Sequence, residues 1–344
     1  KMQHDTHFIF AAERRKDYMR KTIFLCAFLL IMILISGCAK KELRQIKISI
    51  NVWPGYAHAF IAKEKGFFKK NNVDVELMLK KNITESAELY KNGEVDGFFD
   101  VLADVIMLNS EGITTKVVYV SDYSDAGDVI IGRTEVKSIA GLKNRVVSFE
   151  GVNTFSHIFV LKTLEKAGLK EADVKFENIP ALDVLTALEQ RRIDAGHTWE
   201  PVTSQALKKG YKRLAKAGDI PGVISDVLAF NAKIIKERPD DIKRIIKSLV
   251  EAKAYVFSNK DEAMKIMAKA EDMSVEEMEG GFNDVRHLDL KENVEAMGKK
   301  AAVSLHNFGE GIADFYFKRG QLSKMPNIDE VIEPRFVNEL IQTH

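Results

Sequence analysis

The chain has 344 residues, 46% hydrophobic and 29% charged, with a formal net charge of +1. That composition is globular, excludes extensive disorder, and suffices for two modest domains with cores of their own. Outside residues 1–37, 45 basic face 47 acidic side chains, so nothing electrostatic points to nucleic acid.

The first element is "MRKTIFLCAFLLIMILISGC", from Met19. Basic Arg20 and Lys21 precede an unbroken apolar run, 23–35, and then small residues, the pattern of a secretory leader. The run is short for a bilayer span, and Lys40, Lys41 and Glu42 follow at once. The expected division is an upstream extension at 1–18, a leader at 19–37 and a tether at 38–45. Ile35, Ser36, Gly37 and Cys38 resemble the bacterial lipobox, which implies lipidation at Cys38 and a membrane anchor, since two acyl chains hold stably. The protein is then expected in the periplasm or on the outer face of the cell membrane. Cys26, the other cysteine, falls in the leader, so the mature chain has no disulfide, thiolate metal site or thiol nucleophile.

From Ile46 strand and helix alternate. "IKISINVW" is a strand, 57–70 a helix, "VDVELML" a strand, 84–93 a helix, "DGFFDV" a short buried strand and 103–111 a helix leading to "TKVVYVSDY". The grammar then restarts with "DVIIGR", a short helix at "SIAGLKN", "RVVSFE", a helix over 153–167, "VKFENI", a helix over 181–192 and "IDAGHTW". "DVLAFNAKII" is again strand then helix, and nearly everything after Pro239 is helical. The predicted class is α/β, two lobes with mainly parallel sheets flanked by helices. Residues 46–123 with 226–344 form one lobe and 124–225 the other. The crossings, "SDYSDAG" and "GDIPGVISDV", carry the Gly, Asp and Pro of bendable connections. Ligands of open α/β sheets sit beyond the carboxyl ends of strands, so two facing lobes define a cleft.

Candidate residues gather at those ends. Trp53 and Tyr56 read either as core aromatics or as pocket walls; Pro54 and Gly55 shape a turn that directs neighbours into the cleft. In "FEGVNTFSH", Gly151 permits close backbone approach, while Asn153, Thr154 and Ser156 surround a helix start that either is merely capped or receives an anion. His157 reads as a satisfied histidine inside that helix. Asp122, Ser124, Asp125 and Asp128 lie at a crossing, and Trp199 and Glu200 end a strand. Cleft carboxylates there would take an amine, amidine or aminopyrimidine, or make turns only. Asp100 and Ser121 are further candidates, and His197 shares the strand face of Trp199.

"VWPGYAHAFIAKEKGFFKKNNVDVEL", "EVDGFFDVLAD", "DYSDAGDVIIGR", "SIAGLKNRVVSFEGVNTFSHIFVLKTLEKAGLKEADV" and "ALEQRRIDAGHTWEP" together resemble the substrate-binding proteins of ABC importers for nitrate, taurine, alkanesulfonates and thiamine precursors. The resemblance covers about 46–201. It implies a type II periplasmic binding fold closing around a small solute, and a permease with a cytoplasmic ATPase as partner. It also implies a pocket role for the W-x-G-Y turn, an anion-recognising turn at Gly151 to Ser156, and acidic contacts at Asp128 and Glu200.

An enzyme is the rival. A yeast-type pyrimidine synthase shares the implied fold, but its family features a cysteine-rich iron-associated motif that this mature chain cannot supply. G-x-S-x-G, G-x-x-x-x-G-K-[ST], H-E-x-x-H and a complete G-x-G-x-x-G are missing from the sequence. The histidines show no metal-ligand spacing. The expectation is therefore a monomeric binder without cofactor, metal or catalytic residues, with a ligand-sensing lipoprotein as a further alternative.

Overall fold

Apolar and β-branched runs form the strands, in chain order β1 (Ile46–Asn51), β2 (Val75–Lys80), β3 (Gly97–Val101), β4 (Thr115–Ser124), β5 (Val129–Gly132), β6 (Val146–Phe149), β7 (Lys175–Asn178), β8 (Ala195–Thr198), β9 (Lys212–Lys216), β10 (Ser225–Asn231) and β11 (Val285–His287). The computed structural model describes Met19, residues 44–301 and residues 303–343. The expected extension, leader, Cys38 and most of the tether lie outside the described residues. Gln45–His344 form one compact unit.

Two sheets organise that unit. One has the order β11-β4-β10-β3-β1-β2 and the other β7-β6-β8-β5-β9. Parallel pairing holds within β2-β1-β3 and β7-β6-β8, where helices make the return. The strands that carry the chain between sheets run against their neighbours: β10 is antiparallel to β3 and β4, and β5 to β8 and β9. The expectation of mainly parallel sheets thus holds for the βα halves alone. The chain crosses from β4 to β5 and returns from β9 to β10. The first crossing is pinned by Ala126 and Gly127 N–H donating to the Asp284 carbonyl at 2.7 and 3.1 Å.

Burial explains the central strands. Every residue of β3 and β4 except Lys116 is buried, as helices cover both faces. Helix Pro239–Ser258 packs on His58–Glu64 and Phe67–Lys70, and helix Leu305–Lys318 on Leu102–Ser110. The buried stripe of Pro239–Ser258, Ile242, Ile245, Ile246, Leu249, Ala252 and Val256, follows the helical period. Lys253 interrupts it, fully buried.

Several predicted elements differ in detail. The single helix expected over 57–70 is two, His58–Glu64 and Phe67–Lys70, because Gly66 at φ 73° takes a left-handed turn between them. The helix expected over 181–192 is a short turn followed by Val184–Glu189. β9 and β11 have no counterpart in the sequence reading. Both are short edge strands without strong alternation, so pairing rather than pattern creates them.

Candidate functional site

The turn after β1 builds one wall. Tyr56 N–H donates to the Trp53 carbonyl at 2.9 Å, and the Gly55 carbonyl accepts from Ser121 Oγ at 2.8 Å. His58 Nδ1 lies 3.0 Å from the same oxygen. A Cβ at Gly55 would stand 2.2 Å from Asp122 Oδ2 and 2.5 Å from Trp53 Nε1, so only glycine fits. With the turn so fixed, Trp53 meets Trp199 edge to face, ring centres 6.3 Å apart at 85°. Tyr56 leans on Phe99 at 5.0 Å. Trp199, just beyond β8, closes the opposite wall and donates from Nε1 to the Val52 carbonyl across the two sheets at 3.0 Å.

Between these rings lies a cavity of about 10 Å³ lined by Trp53, Tyr56, Trp199 and Phe155, with Asn51, Ile83, Asp128 and Asp226. It has room for one water at most. Its polar side is acidic. Tyr56 OH donates to Asp226 Oδ1 at 2.5 Å, and Trp53 Nε1 donates to Asp122 Oδ1 at 3.3 Å. Burial, then repulsion from Asp122 and Asp128, pushes the Asp226 carboxyl well above its ordinary range. Burial also raises Asp122, which the nearby Lys253 ammonium partly opposes. Lys253 Nζ donates to the carbonyls of Ser121 and Leu288 at 2.6 and 3.0 Å.

Asp128 is held by a chain of hydrogen bonds. Its N–H donates to Ser124 Oγ at 3.0 Å, its Oδ1 lies 2.9 Å from His197 Nε2, and His197 Nδ1 lies 2.7 Å from Ser156 Oγ. Ser156 Oγ also accepts the Glu150 N–H at 2.8 Å. Serine, histidine and aspartate here resemble a nucleophilic relay in composition, yet Ser156 and His197 are wholly buried. It is Asp128, not Ser156, that reaches the cavity. Ser124, Ser156 and His197 orient it.

The sequence-predicted residues therefore divide. Trp53, Tyr56, Asp128 and Trp199 meet at the central cavity. Gly151, Asn153, Thr154 and Asp100 line a separate groove of about 500 Å³ with Asp104 and Asn178. At the helix start, read as either merely capped or anion-receiving, side chains of the protein take three N–H groups. Asp104 Oδ1 accepts the Phe155 N–H at 2.8 Å, Thr154 Oγ1 accepts the His157 N–H at 3.4 Å, and His157 Nδ1 accepts the Asn153 N–H at 3.2 Å. Gly151, at φ 77°, donates to Asn178 Oδ1 at 2.9 Å. Asp100 is buried with Oδ1 accepting the Val101 N–H at 2.7 Å. Glu200 turns from the cavity and accepts from Ser204 N–H and Oγ at 3.1 and 2.8 Å. Among the described residues, no group of three or more His, Cys, Asp or Glu is placed to hold a metal ion.

Sequence reasoning missed Asn51, Ile83, Phe155 and Asp226. The available signal for Asp226 was a carboxylate opening the apolar run "SDVLAF" directly after a flexible crossing. For Asn51 it was a polar residue closing an apolar strand.

A family model described as NMT1/THI5 like matches residues 53–263. A binding protein of Brucella abortus (strain 2308) is 26% identical over 267 residues, 76% of this chain and 81% of its own length. An aliphatic sulfonates-binding protein of Bacillus subtilis (strain 168) is 22% identical over 340 residues, 93% of this chain and 97% of its own. 4-Amino-5-hydroxymethyl-2-methylpyrimidine phosphate synthase of Saccharomyces cerevisiae is 22% identical over 228 residues, 62% of this chain and 66% of its own. Among solved structures, the alkanesulfonate-binding protein SsuA of Xanthomonas axonopodis pv. citri superimposes with a TM-score of 0.71 at 14% identity, over 85% of this chain and 99% of that one. The periplasmic nitrate-binding protein NrtA of Synechocystis gives 0.72 at 15% identity, over 88% and 89%. The desulfurization enzyme DSZB gives 0.65 at 14% identity, over 87% and 99%. With more than half its length matched by the family model and two sheets closing on one cavity, the chain belongs to the NMT1/THI5-like family and has the type II periplasmic binding protein fold.

Proposed function

We propose that this chain is the extracytoplasmic solute-binding protein of an ABC importer, closing two lobes around a small polar solute and delivering it unaltered to a membrane permease. The lobes are 46–123 with 226–344, and 124–225, and Trp53, Tyr56, Asp128 and Trp199 contact the solute. The carrying observation is that walls from both sheets, Trp53 after β1 and Trp199 after β8, meet at one cavity too small for a solute as closed. Opening must therefore precede entry, and a solute touching both walls favours closure through its differential affinity. The names of the Bacillus and Xanthomonas proteins support the transport reading. The leader pattern supports export and anchoring through acylated Cys38.

Because the yeast synthase and DSZB belong among the similar proteins, the test must separate binding from chemistry. Purified full chain in mild detergent is incubated with a metabolite extract, washed, and denatured to release what it holds. The expected result is one retained solute, chemically identical to a component of the extract. A retained molecule that is instead a conversion product, formed in proportion to incubation time, would overturn the reading in favour of an enzyme.

A further inference from the structure

The donors around the cavity are largely committed within the protein, while acceptors remain. Trp53 Nε1 is committed to Asp122, Tyr56 OH to Asp226 and Trp199 Nε1 to the Val52 carbonyl. Asn51 Nδ2 donates to that same carbonyl at 3.3 Å. Against these, Asn51 Oδ1 is a buried oxygen of a cavity-lining residue without a hydrogen-bond partner among the described residues, and the Asp226 and Asp122 carboxyls, whose Oδ2 atoms meet no other donor, hydrogen-bond only each other there. A buried acceptor left unmet costs about 1–3 kcal/mol, so such a group marks where a ligand donates.

Charge points the same way. No lysine or arginine is among the described residues lining the cavity. Lys253 stands behind Asp122, its Nζ drawn to the carbonyls of Ser121 and Leu288. An anion entering here would meet the acidic side chains of Asp128 and Asp226 and the negative faces of aromatic rings. A cation would gain from both, since a ring face within about 6 Å attracts a desolvated ammonium or guanidinium-like group. The helix start at Phe155 is already capped by Thr154 and Asp104.

Resting on the solute-binding reading above, we infer that the solute is a cation bearing N–H donors, a protonated amine or amidinium, received by Asp226 and Asn51 between Trp53, Tyr56 and Trp199. This differs from the sulfonate and nitrate in the names of similar proteins. The protonation of Asp226 adds a signature. Burial and the facing acids Asp122 and Asp128 favour its neutral form, with Tyr56 as its hydrogen-bond donor and Lys253 acting on Asp122. A bound cation replaces that proton. Affinity then rises with pH, by up to about tenfold per unit below the carboxyl's own pKa, and about one proton leaves per cation bound.

The test is calorimetry on the purified full chain with two panels: ethylammonium, ethanolammonium, acetamidinium and benzamidinium against ethanesulfonate, propanesulfonate and nitrate. The expected result is saturable binding of at least one cation, with about one proton released when buffers of different ionisation enthalpy are compared. Asp226→Asn should weaken that cation about 100-fold. Proton release by the unaltered chain tests the same point should the variant fold poorly. Saturable binding of a sulfonate or nitrate with the cations inert overturns the inference and leaves the solute-binding reading intact. Binding by neither panel also overturns the inference, and the solute-retention experiment then decides the broader reading separately.

Discussion

Glu271 ends the helix Lys260–Glu271 with its side chain buried. Burial pushes its carboxyl up to about 8 from the ordinary 4.5, with the Trp53 backbone N–H opposing. Between those values the folded chain keeps a proton that the unfolded chain has lost. The stability this group contributes is therefore complete below its unfolded pKa and declines as pH rises towards its folded one, by about 1.4 kcal/mol per pH unit. Glu271→Gln, which cannot ionise, should melt close to the parent at about pH 5 and above it at about pH 8. Melting curves across that range check it; parallel pH profiles for the two proteins would show that Glu271 titrates normally. The residue sits under the aromatic turn, so the same group limits how firmly the site is supported in alkaline solution.

Helix starts are where the two sheets take hold of each other. Glu150, just after β6, accepts the Ile83 N–H with Oε1 at 3.0 Å and the Ala181 N–H with Oε2 at 2.7 Å. Ile83 begins helix Ile83–Lys91 beside the six-stranded sheet. Asp104, on helix Leu102–Ser110, accepts in return from Phe155 at the start of helix Phe155–Lys166. Each carboxylate thus caps a helix that belongs with the other sheet, where unsatisfied N–H groups and the helix dipole favour negative charge. Glu150→Gln keeps one acceptor oxygen and turns the other into a donor facing an N–H. It should loosen closure by about 1–3 kcal/mol, read as a solute affinity about 5- to 150-fold weaker. Unchanged affinity would mean that these caps hold equally in open and closed forms.

The whole molecule has two tryptophans, Trp53 and Trp199, and both line the cavity. Tryptophan fluorescence, excited selectively over the tyrosines, therefore reports on the site. Because the closed cavity of about 10 Å³ admits at most one water, a solute enters only after opening. In stopped-flow mixing, the observed rate should level off with increasing solute at the opening rate. A rate that climbs linearly at all concentrations would indicate that an open form predominates before binding.

The sequence by itself determined the leader pattern, the strand and helix alternation, the two crossings rich in Gly, Asp and Pro, and the aromatic turn at Trp53 and Tyr56. These are local properties, written in periodicity and in residues with few backbone options. Only the tertiary structure decided that Asp226 lies against Tyr56 and Asp122, that Asp104 caps the helix start read as either merely capped or anion-receiving, and that Glu200 turns aside to Ser204. The reason is physical. A buried carboxylate takes its meaning from the donors and charges within a few ångströms, and for Asp226 and Glu150 those come from segments distant in the chain, brought together by antiparallel β10 and by closure of two sheets. Hydrophobic pattern records which side chains are buried, but not which polar atoms will be left without a partner once they are.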